Sequence, residues 1–208
     1  MGSNADNQNF SIGIIGSGPI GLECGLHALK HGYRFFIFES GDQIANNIRL
    51  WPHVRFFTPL KMNVSSLGEN LLDKLTDDNA FLTGGEYIEH YLRPIGDHLQ
   101  SNIRLRHRVV SVGRYHQNKF IMLVENMNQN CEDYLIVDCV IDASGKCNNP
   151  NFIGPSNLPA INERTLRKLT SSPITHLIPN PEYEQLAGKR IVLIGKGHSA
   201  ATSAVSLG

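Results

Sequence analysis

The sequence lacks the features of secreted, membrane-spanning and nucleic-acid-binding proteins. Its four cysteines form no C-x-x-C pair, and the polar residues before Phe10 do not resemble a secretory signal. No apolar run is long enough to span a membrane. Lysine plus arginine and aspartate plus glutamate number 19 each, without a basic cluster, so neither nucleic acid nor an anionic membrane is predicted as a partner. We therefore expect a cytoplasmic protein that binds a small molecule.

Patterns for catalysis by side chains alone are also missing. There is no Ser-His-Asp set, no pair of carboxylates at a catalytic spacing and no metal-ligand spacing. We therefore predict no metal site and assign no catalytic residue. Any chemistry is expected to come from a bound cofactor.

A glycine-rich turn near the start of the chain is the most informative motif. The apolar run Ile12–Ile15 predicts a buried strand, and Gly16, Gly18 and Gly21 follow it at the G-x-G-x-x-G spacing. A helix is predicted from Pro19, and its amide groups would point towards phosphates. The turn therefore predicts a dinucleotide-binding site.

An acidic residue supports this interpretation. The second apolar run ends at Glu39, 18 residues after Gly21, which is about where ribose hydroxyls need a carboxylate acceptor. The strand Arg34–Phe38 would complete a β-α-β unit. The alternative is a structural glycine turn followed by an ordinary acid at the end of a strand.

The middle of the chain predicts a loop and a capped helix. Trp51–Pro59 is an aromatic loop, either a cover for a flat cofactor ring or a simple hydrophobic flap. His53 and Arg55 in this loop are candidates for lining a cofactor or substrate cavity, with ordinary exposed positions as the alternative. Thr83 and Glu86 have the spacing of a capping box that begins a helix.

The next segments predict antiparallel strands and then irregular structure. Ile103–Tyr115, Lys119–Val124 and Tyr134–Val137 predict a three-stranded meander. Cys139–Gly145 predicts a short buried strand ending in small residues. The proline- and asparagine-rich residues 146–182 predict irregular loops.

A second glycine turn follows near residue 195. Lys189–Ile194 predicts an apolar strand, and Gly195, Gly197 and Ala200 have the G-x-G-x-x-A spacing. His198 could donate to a phosphate, and Lys196 could add charge towards an NADP phosphate. The alternatives are that His198 only begins a helix and that Lys196 is only solvated, so that neither contacts a ligand.

These motifs, in this order, resemble the flavoproteins with two dinucleotide-binding domains, such as flavin-containing monooxygenases and pyridine nucleotide-disulfide oxidoreductases. The resemblance implies an α/β fold with a Rossmann-like parallel sheet, a three-stranded meander and the start of a second Rossmann unit. It also implies that the protein binds FAD and uses NAD(P)H, with NADPH preferred to NADH. The implied FAD-binding residues are Gly16, Gly18, Pro19, Ile20, Gly21, Glu39, Trp51, Val109, Ala143, Ser144 and Gly145. The implied NAD(P)-binding residues are Gly195, Gly197, His198, Ser199 and Ala200.

The resemblance also implies a domain organisation. We expect a disordered leader over 1–10, an FAD-binding domain over 11–150 with its meander at about 103–137, a linker over 151–188 and the truncated start of an NAD(P)-binding domain over 189–208. The aromatic loop resembles the monooxygenases, and the missing cysteine pair disfavours a dithiol relay. The monooxygenase pattern Phe-x-Gly-x-x-x-His is not matched, because Leu158 stands at the histidine position.

Three functions remain open at this point. The first is an FAD-dependent, monooxygenase-like oxidoreductase that uses NAD(P)H. The second is a truncated nucleotide-binding module without turnover. The third is a protein with a single NAD(P) site.

Overall fold

The computed structural model describes residues 9–72, 77–147, 149–180, 182, 186 and 188–207. The chain divides into two compact units, residues 1–145 and 146–208. Residues 1–8 of the expected leader lie outside the described residues. The strands are β1 (Ser11–Ile15), β2 (Arg34–Glu39), β3 (Ile103–Leu105), β4 (His107–Arg114), β5 (Phe120–Asn126), β6 (Cys131–Val137) and β7 (Cys139–Asp142). The α-helices are α1 (Pro19–Lys30), α2 (Ser66–Glu69), α3 (Gly84–Tyr87), α4 (Arg93–His98), α5 (Glu163–Leu166) and α6 (His198–Leu207).

A parallel sheet with the order β3–β2–β1–β7 forms the centre of the first unit. Ile14 and Ile37 on its two central strands are fully buried, as expected for strands covered on both faces. Helix α1 lies close to the sheet because Gly25 has no side chain, and a Cβ there would lie 2.8 Å from Ile37. The predicted β-α-β unit is confirmed.

A separate antiparallel sheet has the order β4–β5–β6. Its Met122, Val124 and Val137 are buried with Phe38 of β2 in a second hydrophobic cluster. The two sheets together confirm the predicted Rossmann-like α/β fold with an antiparallel meander.

The start of the meander was predicted wrongly. Ile103–Leu105 pairs with β2 in the parallel sheet, and the antiparallel strand begins at His107. Arg106 between them has a φ of 56°, and its amide donates to the carbonyl oxygen of Gly41 at 2.9 Å. A residue in the left-handed region cannot continue an extended strand, so the apolar run divides into two strands at this point.

Asp138 joins the two sheets. Its Oδ2 accepts hydrogen bonds from the amide and hydroxyl of Ser11 at 2.9 and 2.7 Å, and its Oδ1 accepts one from Lys119 Nζ at 2.7 Å. The Lys119 and Ser11 hydrogen bonds lower the pKa of Asp138 to about 2. The carboxylate therefore ties the start of β1 to the start of β5.

The predicted capping box at helix α3 is confirmed. Thr83 Oγ1 accepts from the Glu86 amide at 3.2 Å, and Glu86 Oε2 accepts from the Thr83 amide at 2.7 Å. The helix continues through a π-helical turn, Ile88–Leu92, into α4.

Two stacked tyrosines connect this helical segment to the loop before it. Tyr91 donates to Glu23 Oε1 on α1 at 2.7 Å and accepts from the Ser65 amide at 2.8 Å, and Tyr87 donates to the Asn63 carbonyl oxygen at 2.6 Å. Burial, the largest cause, raises the pKa of Tyr91 to about 12. The buried Tyr91 hydroxyl therefore holds the segment to α1, and the buried Tyr87 hydroxyl holds it to the loop.

The second unit contains little regular structure in its described part. Glu163, only 1% exposed, accepts from the amides of Ile153 and Ala160 and from Arg167, and so organises the loop around α5. The strand expected over Lys189–Ile194 has no strand partner among the described residues, and Val192 there is 83% exposed. An apolar sequence forms a strand only when a neighbouring strand supplies its hydrogen bonds.

Candidate functional site

The first glycine turn lies where the order of the parallel strands changes direction. The chain moves from β1 to β2 on one side, whereas β7 pairs with the other side of β1. In open α/β sheets such a change leaves a crevice at the carboxyl ends of the strands, and ligands bind there. Gly16 follows β1 and Ala143 follows β7 at this edge.

Gly16 and Gly21 make this turn tight. Gly16 has a φ of 95°, and a Cβ there would lie 2.7 Å from the carbonyl oxygen of Ala143. A Cβ at Gly21 would lie 1.8 Å from the carbonyl oxygen of Gly16. Only glycine allows the helix and the strand ends to approach this closely.

Gly18 differs from the other two glycines. Its φ of −75° is ordinary for any residue, and a Cβ there would meet no atom within 4 Å. It is the N-cap of α1 and has no side chain to cap the helix, so the first-turn amides need acceptors from elsewhere. Open space beside uncapped helix amides fits a pyrophosphate group.

Pro19 and Ile20 form the first helical positions beside this space. Pro19 gives up an amide that the helix would not use, and Ile20 is 65% exposed. An exposed large apolar side chain next to the open space at Gly18 is available to contact a ligand.

Glu39 lies at the end of β2 and is 7% exposed. Its Oε2 accepts from the Ser17 amide at 3.0 Å and from Ser17 Oγ at 2.7 Å, and its Oε1 accepts from the Gly41 amide at 2.8 Å. The hydroxyl of Ser40 adds a longer contact of 3.4 Å to Oε1. The predicted acid is thus bonded directly to the predicted phosphate turn.

The small residues after β7 form the other wall of the crevice. The Ala143 amide donates to the Ile15 carbonyl oxygen at 2.9 Å. Asp142 Oδ1 accepts from the Ser144 hydroxyl at 2.6 Å and from its amide at 3.0 Å, and these hydrogen bonds lower the pKa of Asp142. Gly145 has a φ of 74°, and a Cβ there would lie 3.9 Å from Nδ2 of Asn47.

Asn47 and Ser17 are site residues that sequence reasoning missed. Asn47 Nδ2 donates to the Ser144 carbonyl oxygen at 3.4 Å, which joins the loop after β2 to the turn after β7. No pattern in the sequence marks Asn47. Ser17 lies inside the glycine motif at a position that the motif leaves open, so its bond to Glu39 had no sequence signal.

Val109 lies on β4 beside the end of β2. It pairs with Val124 and packs in the cluster that contains Phe38, and the strand register shifts between Val109 and Ser111. A bulge at this position frees backbone groups from regular pairing. Such groups are suited to the FAD contact that the resemblance implies for Val109.

The aromatic loop is anchored to the capped helix. The Trp51 ring packs edge to face on Phe56 at 5.8 Å, and a Cβ at Gly84 would lie 2.9 Å from it. Arg55 donates to the Phe81 carbonyl oxygen and lies 3.8 Å from Glu86. These contacts hold the loop against the start of α3, and the described contacts of Trp51 and Arg55 do not include the glycine turn.

The second glycine turn has a similar backbone. Gly195 has a φ of 138°, and a Cβ there would lie 3.6 Å from the Cβ of Ala200. Gly197 is open, with no atom within 4 Å of a built Cβ, and α6 begins at His198. Lys196, His198 and Ser199 are exposed.

All four cysteines are free thiols. Burial is the main cause that raises the pKa of Cys24, which follows the phosphate turn on α1, so the thiolate form of this side chain is disfavoured. Among the described residues no group of three or more His, Cys, Asp or Glu side chains is placed to hold a metal ion. No helix in the described part of the chain is long and apolar enough to cross a membrane.

A cavity of about 270 Å³ lies elsewhere in the first unit, between the loop after β2 and α4, and its lining includes Asp42, Arg49 and Asp97. None of its lining residues belongs to the glycine turn.

Several solved structures share this fold. The bacillithiol disulfide reductase from Bacillus cereus is 21% identical, with a TM-score of 0.59, over 70% of this chain and 42% of that chain. An oxidised steroid monooxygenase bound to NADP is 18% identical, with a TM-score of 0.56, over 70% of this chain and 28% of that chain. The S-allyl-L-cysteine S-oxygenase from Allium sativum is 18% identical, with a TM-score of 0.55, over 65% of this chain and 36% of that chain.

The chain thus spans less than half the length of these structures. No curated protein matches it. A family model described as pyridine nucleotide-disulphide oxidoreductase matches residues 13–208, which include both glycine turns and Glu39. The chain belongs to the pyridine nucleotide-disulphide oxidoreductase family.

Proposed function

We propose that this chain contributes the FAD-binding part of a flavoprotein oxidoreductase that uses NAD(P)H to reduce its flavin. The observation that carries the proposal is the open space beside Gly18, at the N-terminus of α1 and at the change of strand order. The buried carboxylate of Glu39 is bonded to the same turn. A structural turn needs no such opening and no buried acid.

Each residue of the crevice has a defined part in the proposal. The amides at the start of α1 bind the pyrophosphate over Gly18, with Pro19 and Ile20 beside it. Glu39 accepts from the adenosine ribose, and the backbone at Val109 contacts the adenine. Residues 143–145 and Trp51 complete the cofactor site. When bound, FAD supplies the capacity to accept a hydride and to pass electrons to an acceptor.

The second glycine turn is proposed as the NAD(P)H site. Gly195 and Gly197 leave room for a pyrophosphate, and His198, Ser199 and Ala200 begin the helix that would face it. The exposed Lys196 supports NADPH over NADH, because its charge is available to a phosphate. In this proposal residues 11–150 are the FAD-binding domain and residues 189–208 begin the NAD(P)-binding domain.

A monooxygenase-like reaction on a small molecule is proposed in preference to disulfide reduction. Disulfide reduction through the protein needs a pair of cysteines, and all four cysteines are free, with no C-x-x-C spacing. Two of the similar structures carry the names of oxygenating enzymes. The free thiols also fit the cytoplasm, which is the proposed location.

A nucleotide-binding module without turnover is the second candidate function. It is favoured by the apolar residues before the second glycine turn: Val192 is 83% exposed and Ile194 is 59% exposed. A phosphate turn is held firmly only when the strand before it is paired. In this candidate FAD binds and is not reduced.

Purification of the 208-residue chain with and without added FAD tests the proposal. We expect a yellow protein that releases FAD on denaturation and whose flavin absorbance is bleached by NADPH under anaerobic conditions. Bound FAD that NADPH does not bleach would support the module without turnover. A colourless protein that cannot be reconstituted with FAD, yet binds NADPH, would contradict the cofactor assignment.

A further inference from the structure

Ser17 is the most buried polar residue of the phosphate turn, with an exposed fraction of 0%. Its amide and its hydroxyl both donate to one oxygen of Glu39, Oε2, at 3.0 and 2.7 Å. A buried hydroxyl has no water to replace this acceptor, so the pair is costly to separate. The turn and the acid are therefore held in a fixed relation.

The two carboxylate oxygens of Glu39 differ in how many further hydrogen bonds each can accept. A carboxylate oxygen offers about two acceptor positions, and Ser17 fills both on Oε2. Oε1 has one short bond, from the Gly41 amide at 2.8 Å, and one long contact, from the Ser40 hydroxyl at 3.4 Å. A ligand hydroxyl can therefore bond to Oε1 by displacing only the weaker contact.

We propose that Ser17 is a positioning residue that fixes the Glu39 carboxylate so that Oε1 is presented to the ribose hydroxyls of the bound dinucleotide. This inference rests on the proposed function, because it requires an adenosine ribose in the crevice. Without the Ser17 hydroxyl, the carboxylate keeps one donor on Oε2 and gains freedom to rotate. Binding of the ribose must then also immobilise the Glu39 carboxylate, and this cost weakens the binding.

The test compares two probes, ADP and 2′,3′-dideoxyadenosine diphosphate, by titration calorimetry on the full 208-residue chain. Wild type should bind ADP about tenfold more tightly, which is the effect expected of hydrogen bonds to a charged acceptor. In Ser17→Ala this ratio should fall to about threefold or less, with the affinity for the dideoxy probe within about twofold of wild type. A merely structural role would weaken both probes equally.

Ser11→Ala is the matched control. Ser11 also donates its amide and hydroxyl to one carboxylate oxygen, on Asp138, at 2.9 and 2.7 Å, but on the opposite end of β1 from the turn. Its loss should lower stability as Ser17→Ala does and leave the tenfold ratio unchanged. Ser17→Cys has a side chain of similar size whose thiol is only a weak donor. It should therefore lower the ratio of the ADP affinity to the dideoxy affinity without opening a cavity.

The outcomes separate this inference from the proposed function. If Ser17→Ala and Ser17→Cys bind both probes and retain the tenfold ratio, the positioning role is wrong and the nucleotide site stands. If Ser17→Ala does not fold, the ratio in Ser17→Cys decides. If wild type binds neither ADP nor FAD, the proposed function and the positioning role are both wrong.

Discussion

Replacing Gly18 and Gly21 by alanine should separate ligand binding from folding. At Gly18 the backbone is extended, with φ of −75°, and a new methyl group meets no atom of the chain within 4 Å. Alanine is a poorer N-cap than glycine by roughly 0.5–1 kcal/mol, whereas its smaller unfolded-state entropy contributes about 0.4–1 kcal/mol in the other direction. The free energy of unfolding of Gly18→Ala should therefore equal that of wild type within about 0.5 kcal/mol.

The same change at Gly21 has the opposite effect on stability. A Cβ there would lie 1.8 Å from the carbonyl oxygen of Gly16, which is backbone and cannot rotate away. Helix α1 would have to move off the end of β1, so Gly21→Ala should lose about 3 kcal/mol or more of unfolding free energy. Urea unfolding followed by circular dichroism measures both values.

FAD binding should weaken in Gly18→Ala although the stability of this variant is unchanged. The methyl group of Gly18→Ala enters the space proposed for the pyrophosphate, so FAD affinity should fall at least about tenfold, as measured by flavin fluorescence. Gly113→Ala is the control, because a Cβ there makes only an ordinary contact of 3.6 Å with Ile121 on the meander. Unchanged FAD binding in Gly18→Ala, or a stability loss there as large as in Gly21→Ala, would refute the reasoning.

Three further predictions concern stability. Asp138, whose pKa is lowered from 3.8 to about 2, stabilises the fold above pH 4, and this contribution is lost as the pH falls towards 2. In urea unfolding measured against pH, Asp138→Asn should remove about 1 kcal/mol of this pH-dependent stability, and Lys119→Met should remove part of it. Tyr91→Phe leaves the Ser65 amide without its acceptor and should cost about 1–3 kcal/mol in urea unfolding, and an equal stability would contradict the network. Thr83→Ala removes the helix cap and should cost about 1 kcal/mol, with Thr83→Ser as the control that restores it.

Local motifs were predictable from the sequence because their geometry depends on adjacent residues. The spacing of Gly16, Gly18 and Gly21 fixes a turn, and the spacing of Thr83 and Glu86 fixes a reciprocal cap, so both follow from a few positions. The fold class followed from the same β-α-β pattern. The structure confirms the turn geometry and the cap at the predicted residues.

Features that depend on distant partners were not predictable. The division of the apolar run at Arg106 depends on a hydrogen bond to Gly41, which lies on another loop. The apolar pattern of Lys189–Ile194 is typical of a buried strand, yet strand formation needs a neighbour that the described residues do not supply. The contact of Asn47 with Ser144 likewise joins two loops far apart in sequence.

The two glycine turns differ in how far they are prepared for a ligand. A buried carboxylate is unfavourable unless donors surround it, and Glu39 has donors from Ser17 and Gly41 of its own chain. In the proposed function, the chain itself therefore holds the acid of the first glycine turn in place, and little of the ligand's binding energy is needed to position it. The second turn follows an exposed apolar segment with no strand partner among the described residues, so a ligand there would have to order the segment as well as bind. We therefore expect the proposed FAD site to bind its dinucleotide independently of the proposed NAD(P)H site, and binding at the second site to require that residues 191–194 become ordered.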